Sequence, residues 1–427
     1  MPWPRPPSPV RGPESPTMPT PADDPGEPIR ETVLVQVTGP DQPGITAGLL
    51  DLLALHDVTI EDVEQIVARD RLNLDLVVNI PATAPVLKDL LFFGWQRGVS
   101  IDFEVVDGAT AETGARSVVT VLGSRLGPTP LGSVAHAIAD SGGNIDRILR
   151  IARYPVTCYE LVVSGATIED LRTRLVTVSH DERIDIAIQA EGLGRRAKRL
   201  VVLDVDSTLI QNEVIELVAA EGDCLAEVEE LTTRAMAGEL QFEDSLRQRV
   251  RLMAGIDTSA LDAAWDNLVL TPGARTFVRT LRRLGFTVAI VSGGFDFFTD
   301  RLKDELGLDH AFANTLEIAN GKLTGNLAGP VVDRARKAEL LRQVAASEGV
   351  PIEQTVAIGD GANDLDMIAA AGLGVAFNAR PVVREVADTS VTVPYLDAIL
   401  FMLGVSREEV EAADAADGIQ TVTPPVN

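Results

Sequence analysis

Behind the apolar run Leu200–Leu203 stand Asp204, Val205, Asp206, Ser207 and Thr208, which put two carboxylates two residues apart where a buried strand would end. Open α/β sheets gather their chemistry at the carboxyl ends of the strands, so one of these carboxylates is placed to attack an electrophile and the other to move protons. Taken alone, the same pentamer also serves as a helix N-cap or a turn. Ser292-Gly293-Gly294 follows a second strand-like run, Thr287–Val291. A hydroxyl with two glycines exposes backbone N–H groups in a shape suited to phosphate oxygens, or simply makes a turn. Gly359-Asp360-Gly361-Ala362-Asn363-Asp364 follows a third run, Thr355–Ile358. Its side-chain oxygens suit a turn or a hard cation, and Mg²⁺ favours a sparse carboxylate site completed by water and phosphate. Lys337 lies in the helical stretch Asp333–Ala345, where a lone lysine is ordinarily solvated and gains meaning only from its companions.

The elements that must position these groups alternate. Strand-like runs at Leu200–Leu203, Thr287–Val291, Thr355–Ile358 and Leu373–Phe377 are separated by helical stretches, which predicts a Rossmann-like α/β sheet with helices on both faces. Between Asn212 and Pro272 no comparable β run occurs, so a helical insertion is expected over about 212–271, a lid that excludes water from the chemistry. Ahead of this half lies a doubled pattern. Val33–Val37, Ile45–Leu55, Thr59–Val67, Leu72–Ile80, Pro85–Arg97 and Ile101–Val106 read as βαββαβ. The order restarts at Ser117–Leu122, with Leu131–Asp140, Asn144–Ile151, Cys158–Val163, Ile168–Thr177 and Ile184–Ile188. Two copies are too few for a solenoid and predict tandem ferredoxin-like domains.

Composition narrows the function classes. A chain of 427 residues, 45% hydrophobic, fits two to three domains with a large core. A net charge of −26 argues against a nucleic-acid partner, so an anionic substrate needs a local positive site. No apolar run is long enough to span a bilayer, and no membrane partner is expected. Cys158 and Cys224 are isolated, which fits neither a zinc site nor a disulfide and suits a reducing cytoplasm. Residues 1–30 are crowded with proline and read as a disordered extension in which Met18 is an alternative start. The basic segment Arg195–Arg199 reads as a solvated junction, and 406–427 as a loose tail. His56, His136, His180 and His310 have no nucleophile motif around them, and neither a GxxxxGK[ST] loop nor a GxGxxG fingerprint is present.

The set DVDST, SGG, a later lysine and GDGAND resembles the haloacid dehalogenase superfamily of phosphotransferases. From about Lys198 to Leu403 the wording is similar to the phosphoserine phosphatase family within it, including the stretch from Met236 to Phe242 and that from Ser245 to Val250. The resemblance implies that Asp204 is the nucleophile, forming an aspartyl-phosphate, and that Asp206 is the general acid/base. It implies Mg²⁺ held by Asp204, Asp360 and the backbone carbonyl of Asp206, with Asp364 supporting the metal from behind. Lys337, Ser292 and Gly293 would meet the phosphate, Asn363 would touch the substrate, and Glu213 would meet the substrate ammonium and Arg249 its carboxylate, with Met236 and Phe242 walling the pocket. The first N-terminal copy, with its loop Gly39–Gly44, resembles an ACT domain, a small module that commonly binds amino acids. Gly39, Asp41 and Gly44 are then the expected contacts of a serine effector, and a homodimer is expected. The second copy carries Gly123–Pro128 where the first has its Asp-bearing loop. The expected boundaries are 31–110 and 114–192 for the ACT domains and 193–405 for the phosphatase. Two rival readings are a phosphotransferase that uses phosphoserine as donor, and an amino-acid sensor with an inactive hydrolase half.

Overall fold

The computed structural model describes residues 30–81, 85–106, 115–236 and 241–421. The expectations for the Pro-rich start and for the last six residues lie outside them. The chain divides into two compact units, residues 1–112 and 113–427.

The first unit is a βαββαβ module whose antiparallel sheet runs in the order Thr59–Ala68, Arg71–Pro81, Arg30–Pro40, Ser100–Val105. Val33, Val35 and Val37 alternate with outward residues and sit opposite Val78, Leu76 and Leu74, so one sheet face is apolar. Helices Ile45–Ala54 and Val86–Arg97 cover it through Ile45, Leu49 and Leu53 and through Val86, Leu90 and Phe93. Gly44, at φ 87°, takes the left-handed turn that starts the first helix. Gly39 lies buried in its strand, where an added Cβ would meet Val99 at 2.7 Å. Asp41 is exposed beside it.

The second unit opens with the same module again, its sheet ordered Asn144–Ala152, Thr157–Ser164, Ser117–Gly123, Asp185–Ala190. Its central strand Ser117–Gly123 is buried at every position, whereas its counterpart in the first unit alternates. The reason is packing on both faces: Val119, Val121 and Val163 meet the module's own helices, while Leu122, Cys158 and Ala187 join the core of the catalytic half. Gln189 Nε2 donates to the Met402 carbonyl at 2.9 Å, and Asp185 Oδ2 accepts from Thr392 N at 2.8 Å across this junction. The basic segment is therefore not simply solvated. Arg195 ion-pairs with Glu160 at 2.5 Å, with side chains 7% and 10% exposed, and Lys198 Nζ donates to the Glu353 carbonyl.

The catalytic sheet has seven strands in the order Lys322–Ala328, His310–Ala319, Thr287–Phe295, Leu200–Leu203, Thr355–Gly359, Gly374–Phe377, Thr389–Val391. Leu200–Leu203 is central, and Thr287–Ile290 and Thr355–Ile358 flank it in parallel register. The motif-bearing strands thus end at one edge, where the order reverses between them. The hairpin His310–Ala328 adds an antiparallel edge strand. In the insertion all described elements are helical: Val214–Glu221, Leu225–Met236, Phe242–Leu252 and Ser259–Asp266. The insertion leaves and rejoins the sheet through paired backbone, Gln211 N to Val269 O and Thr271 N to Leu209 O.

The described part of the tail is not loose. Ser406 and Glu409 form a reciprocal capping box that starts the helix Arg407–Ala416. Asp414, fully buried, accepts hydrogen bonds from Arg279 and Arg283 and seats that helix on Ala274–Arg283.

Candidate active site

Asp204 follows the central strand directly, its N–H bonded to the Ile358 carbonyl at 2.9 Å and the residue 3% exposed. Both hydrogen bonds it accepts fall on Oδ1, from Val205 N at 2.7 Å and from Lys337 Nζ at 2.7 Å. Lys337 is fully buried and reaches Asp364 Oδ1 at the same 2.7 Å. Its helix, Arg334–Ser347, starts on the cap residue Asp333, which accepts from Arg336 N and sets the register that points Lys337 inward. Burial works against the charge on Lys337, but Asp204 and Asp364 outweigh it and hold its pKa above the ordinary lysine value.

Asp360, Asp364 and Asp204 bring carboxylate oxygens within 4.8 Å of one another, an all-oxygen donor set that fits a hard divalent cation. Burial, then the charge of Asp364, push Asp360 up to about 7, and the same two causes raise Asp204. Such a surplus of negative charge is what a cation would neutralise. Asp364 has both oxygens engaged, one by Lys337 and one by Gly361 N at 3.0 Å, as a supporting position requires. Gly359 leaves it room, since a Cβ there would fall 2.4 Å from the Asp364 carboxyl carbon.

Asp206 is fixed from two sides: Val214 N donates to Oδ1 at 2.7 Å and Ser292 Oγ to Oδ2 at 2.9 Å. Burial raises its pKa against both hydrogen bonds. The turn that leaves Asp206 is made by Ser207, in the left-handed region at φ 57°, whose hydroxyl donates to Glu213 Oε1 at 2.9 Å. Burial, then Asp206, push Glu213 up to about 8. Ser292 Oγ also accepts from Gly294 N at 2.7 Å, so the hydroxyl expected to meet phosphate is here committed to Asp206 and to its own loop.

A cavity of about 410 Å³ opens onto this edge, lined by Asp204, Asp206, Glu213, Arg249, Gly293 and Asn363 among others. Phe242 lines it as well, with its ring 3.2 Å from where a Gly293 Cβ would stand, while the Met236 side chain lies outside the described residues. Arg249, on Phe242–Leu252, is buried, and its pKa is lowered by that burial. The site residues expected from the sequence therefore converge, except the loop Gly39, Asp41 and Gly44, which belongs to the other unit.

Sequence reasoning missed Asn314. Its amide donates to the Gly293 carbonyl at 2.8 Å and the Gly294 carbonyl at 3.2 Å, and its Oδ1 accepts from Val332 N at 2.7 Å. It fixes the glycine loop from a strand whose own sequence carries no motif. Arg334, Arg380 and Thr232 also line the cavity and were not anticipated.

Fold and site together define a phosphoryl-transfer hydrolase with regulatory-type N-terminal modules. The haloacid dehalogenase-like hydrolase family matches residues 201–369, and ACT domain families match 31–104 and 115–189. The chain is 55% identical to the phosphoserine phosphatase of Streptomyces coelicolor over 388 residues, 90% of this chain and 94% of that one. It is 46% identical to the phosphoserine phosphatase SerB2 of Mycobacterium tuberculosis over 94% of this chain and all of that one. A solved structure of a probable phosphoserine phosphatase from Vibrio cholerae aligns with a TM-score of 0.54 at 35% identity, covering 71% of this chain and 90% of that one. The chain belongs to the phosphoserine phosphatase family.

Proposed function

We propose that the protein hydrolyses O-phospho-L-serine to L-serine and phosphate through an aspartyl-phosphate on Asp204. The observation that carries this is the arrangement at one strand end: Asp204 facing the cavity with Lys337 on its Oδ1, and Asp206 held two residues away by separate donors. A phosphate monoester resists hydrolysis because its charge repels a nucleophile and an alkoxide leaves badly. Lys337 offsets charge on the Asp204 carboxylate, and the N–H of Gly293 would bind the phosphoryl oxygens, joined by the Ser292 hydroxyl once it exchanges its bond to Asp206 for one to phosphate, while the Asn363 side chain touches the substrate. Mg²⁺, held by Asp204, Asp360 and the Asp206 carbonyl, would neutralise phosphoryl charge when bound. Asp206 first protonates the leaving hydroxyl of serine, then takes a proton from the water that opens the aspartyl-phosphate.

Phosphoserine carries an ammonium and a carboxylate beside its phosphate, and the cavity offers Glu213 to the first and Arg249 to the second. Phosphate release from O-phospho-L-serine should vanish with EDTA and in Asp204→Asn. Phosphorylated acceptor in place of free phosphate would instead mark a phosphotransferase. The enzyme would act in the cytoplasm as a homodimer at the last step of serine formation, with serine as effector of the ACT domains through Gly39, Asp41 and Gly44. Free thiols at Cys158 and Cys224 support that compartment. Serine should inhibit the wild type at lower concentration than Asp41→Ala, and sedimentation at the monomer mass would remove the dimer.

A further inference from the structure

Arg249 is a buried cation without an ion pair among the described residues. Glu213, Asp206 and Glu216 act on it through space, yet among the described residues no carboxylate oxygen is in salt-bridge contact with it and its Nε has no hydrogen-bond partner. Its side-chain partner is neutral: Nη1 donates to Thr232 Oγ1 at 3.2 Å. Thr232 sits on the helix Leu225–Met236, and its hydroxyl hydrogen is donated to the Val228 carbonyl at 2.9 Å. That back-bond leaves only lone pairs facing the guanidinium, so Thr232 can only accept. Both side chains line the catalytic cavity.

An arginine meant to receive an anion must be held without being neutralised, because a protein carboxylate on the same fork would compete with the ligand. A threonine acceptor meets that need. We propose that Thr232 is the positioning residue for Arg249 and, through it, sets the preference for phosphate esters that carry a carboxylate. This rests on Arg249 meeting the substrate carboxylate. Without the hydroxyl, the guanidinium is free to turn towards Glu213 or Glu216, and the carboxylate subsite closes on itself.

The test compares O-phospho-L-serine with O-phosphoethanolamine, which keeps the phosphate and the ammonium but lacks the carboxylate. In Thr232→Val, KM for phosphoserine should rise about tenfold, the size of one hydrogen bond to a charged group, with kcat falling less than about threefold. The loss on O-phosphoethanolamine should be at least about fivefold smaller, and Thr232→Ser should restore the wild-type KM. Adding Thr232→Val to Arg249→Ala should change nothing further, because the two act as one unit. An equal loss on both substrates in Thr232→Val overturns the proposal. So does an unchanged KM in Thr232→Val while Arg249→Ala impairs phosphoserine selectively, which leaves the role of Arg249 standing. Equal impairment of both substrates by Arg249→Ala instead removes the carboxylate role itself, and the proposal with it.

Discussion

Asp185 offers a quantitative test of how the second ACT module is joined to the catalytic half. It is 2% exposed and accepts from Thr392 through N at 2.8 Å and Oγ1 at 3.2 Å, tying the strand Asp185–Ala190 to the edge strand Thr389–Val391. Burial pushes its pKa from 3.8 to about 6, against the two Thr392 hydrogen bonds and the charge of Arg384. A raised carboxyl pKa means the folded chain keeps a proton that the unfolded chain releases. The resulting stability is full below pH 3.8 and drains as pH climbs through about 6. The rise corresponds to about 3 kcal/mol in total, of which about 2 kcal/mol is lost between about pH 4.5 and about pH 7.5. Asparagine keeps an acceptor for Thr392 and has no charge to bury. Urea denaturation of wild type and Asp185→Asn across that range, followed by circular dichroism, should show the variant gaining about 2 kcal/mol on the wild type as pH rises. A difference that stays flat with pH would refute the reasoning, since it would mean the carboxylate is as well solvated at the junction as in the unfolded chain.

Lys337→Met removes the cation between Asp204 and Asp364, so kcat should fall about 100- to 1,000-fold in a phosphate-release assay, and a loss under about tenfold would deny Lys337 an electrostatic role. Asp414→Ala strips Arg279 of its carboxylate and leaves Arg283 with Asp417 alone, and should cost about 3 kcal/mol in stability. Amide hydrogen exchange over Arg407–Ala416 should accelerate in that variant, and unchanged protection would show that the helix is held by other contacts.

Much of the site was legible because it is built at strand ends, where local sequence dictates local structure. Leu200–Leu203 and Thr355–Ile358 are continuous apolar runs, so the carboxylates behind them had to emerge at one sheet edge. Lys337 could be placed on a helix from its neighbours alone. What stayed hidden depends on partners distant in the chain. The strand His310–Ala319 is half-exposed and lacks clean alternation, because it gains its order from Thr287–Phe295 on one side and Lys322–Ala328 on the other. Asn314 looks like any polar residue until the fold brings Gly293 and Gly294 to its amide. The tail is acidic in composition, and nothing local indicates that Asp414 will meet two arginines more than a hundred residues earlier. Arg195 and Lys198 read as surface charge for the same reason: Glu160 and the Glu353 carbonyl reach them only in the folded chain.

The bond from Val214 N to Asp206 joins the proton carrier to the first turn of the inserted helices, while Ser292 holds it from the sheet side. An outward swing of the insertion that carried Val214 with it would strip the acid of one of its two anchors. Release of product through such a swing would then loosen the group that delivers protons in the same movement. The acid would be left with the Ser292 bond alone, so proton delivery would be at its best oriented while the insertion stays seated.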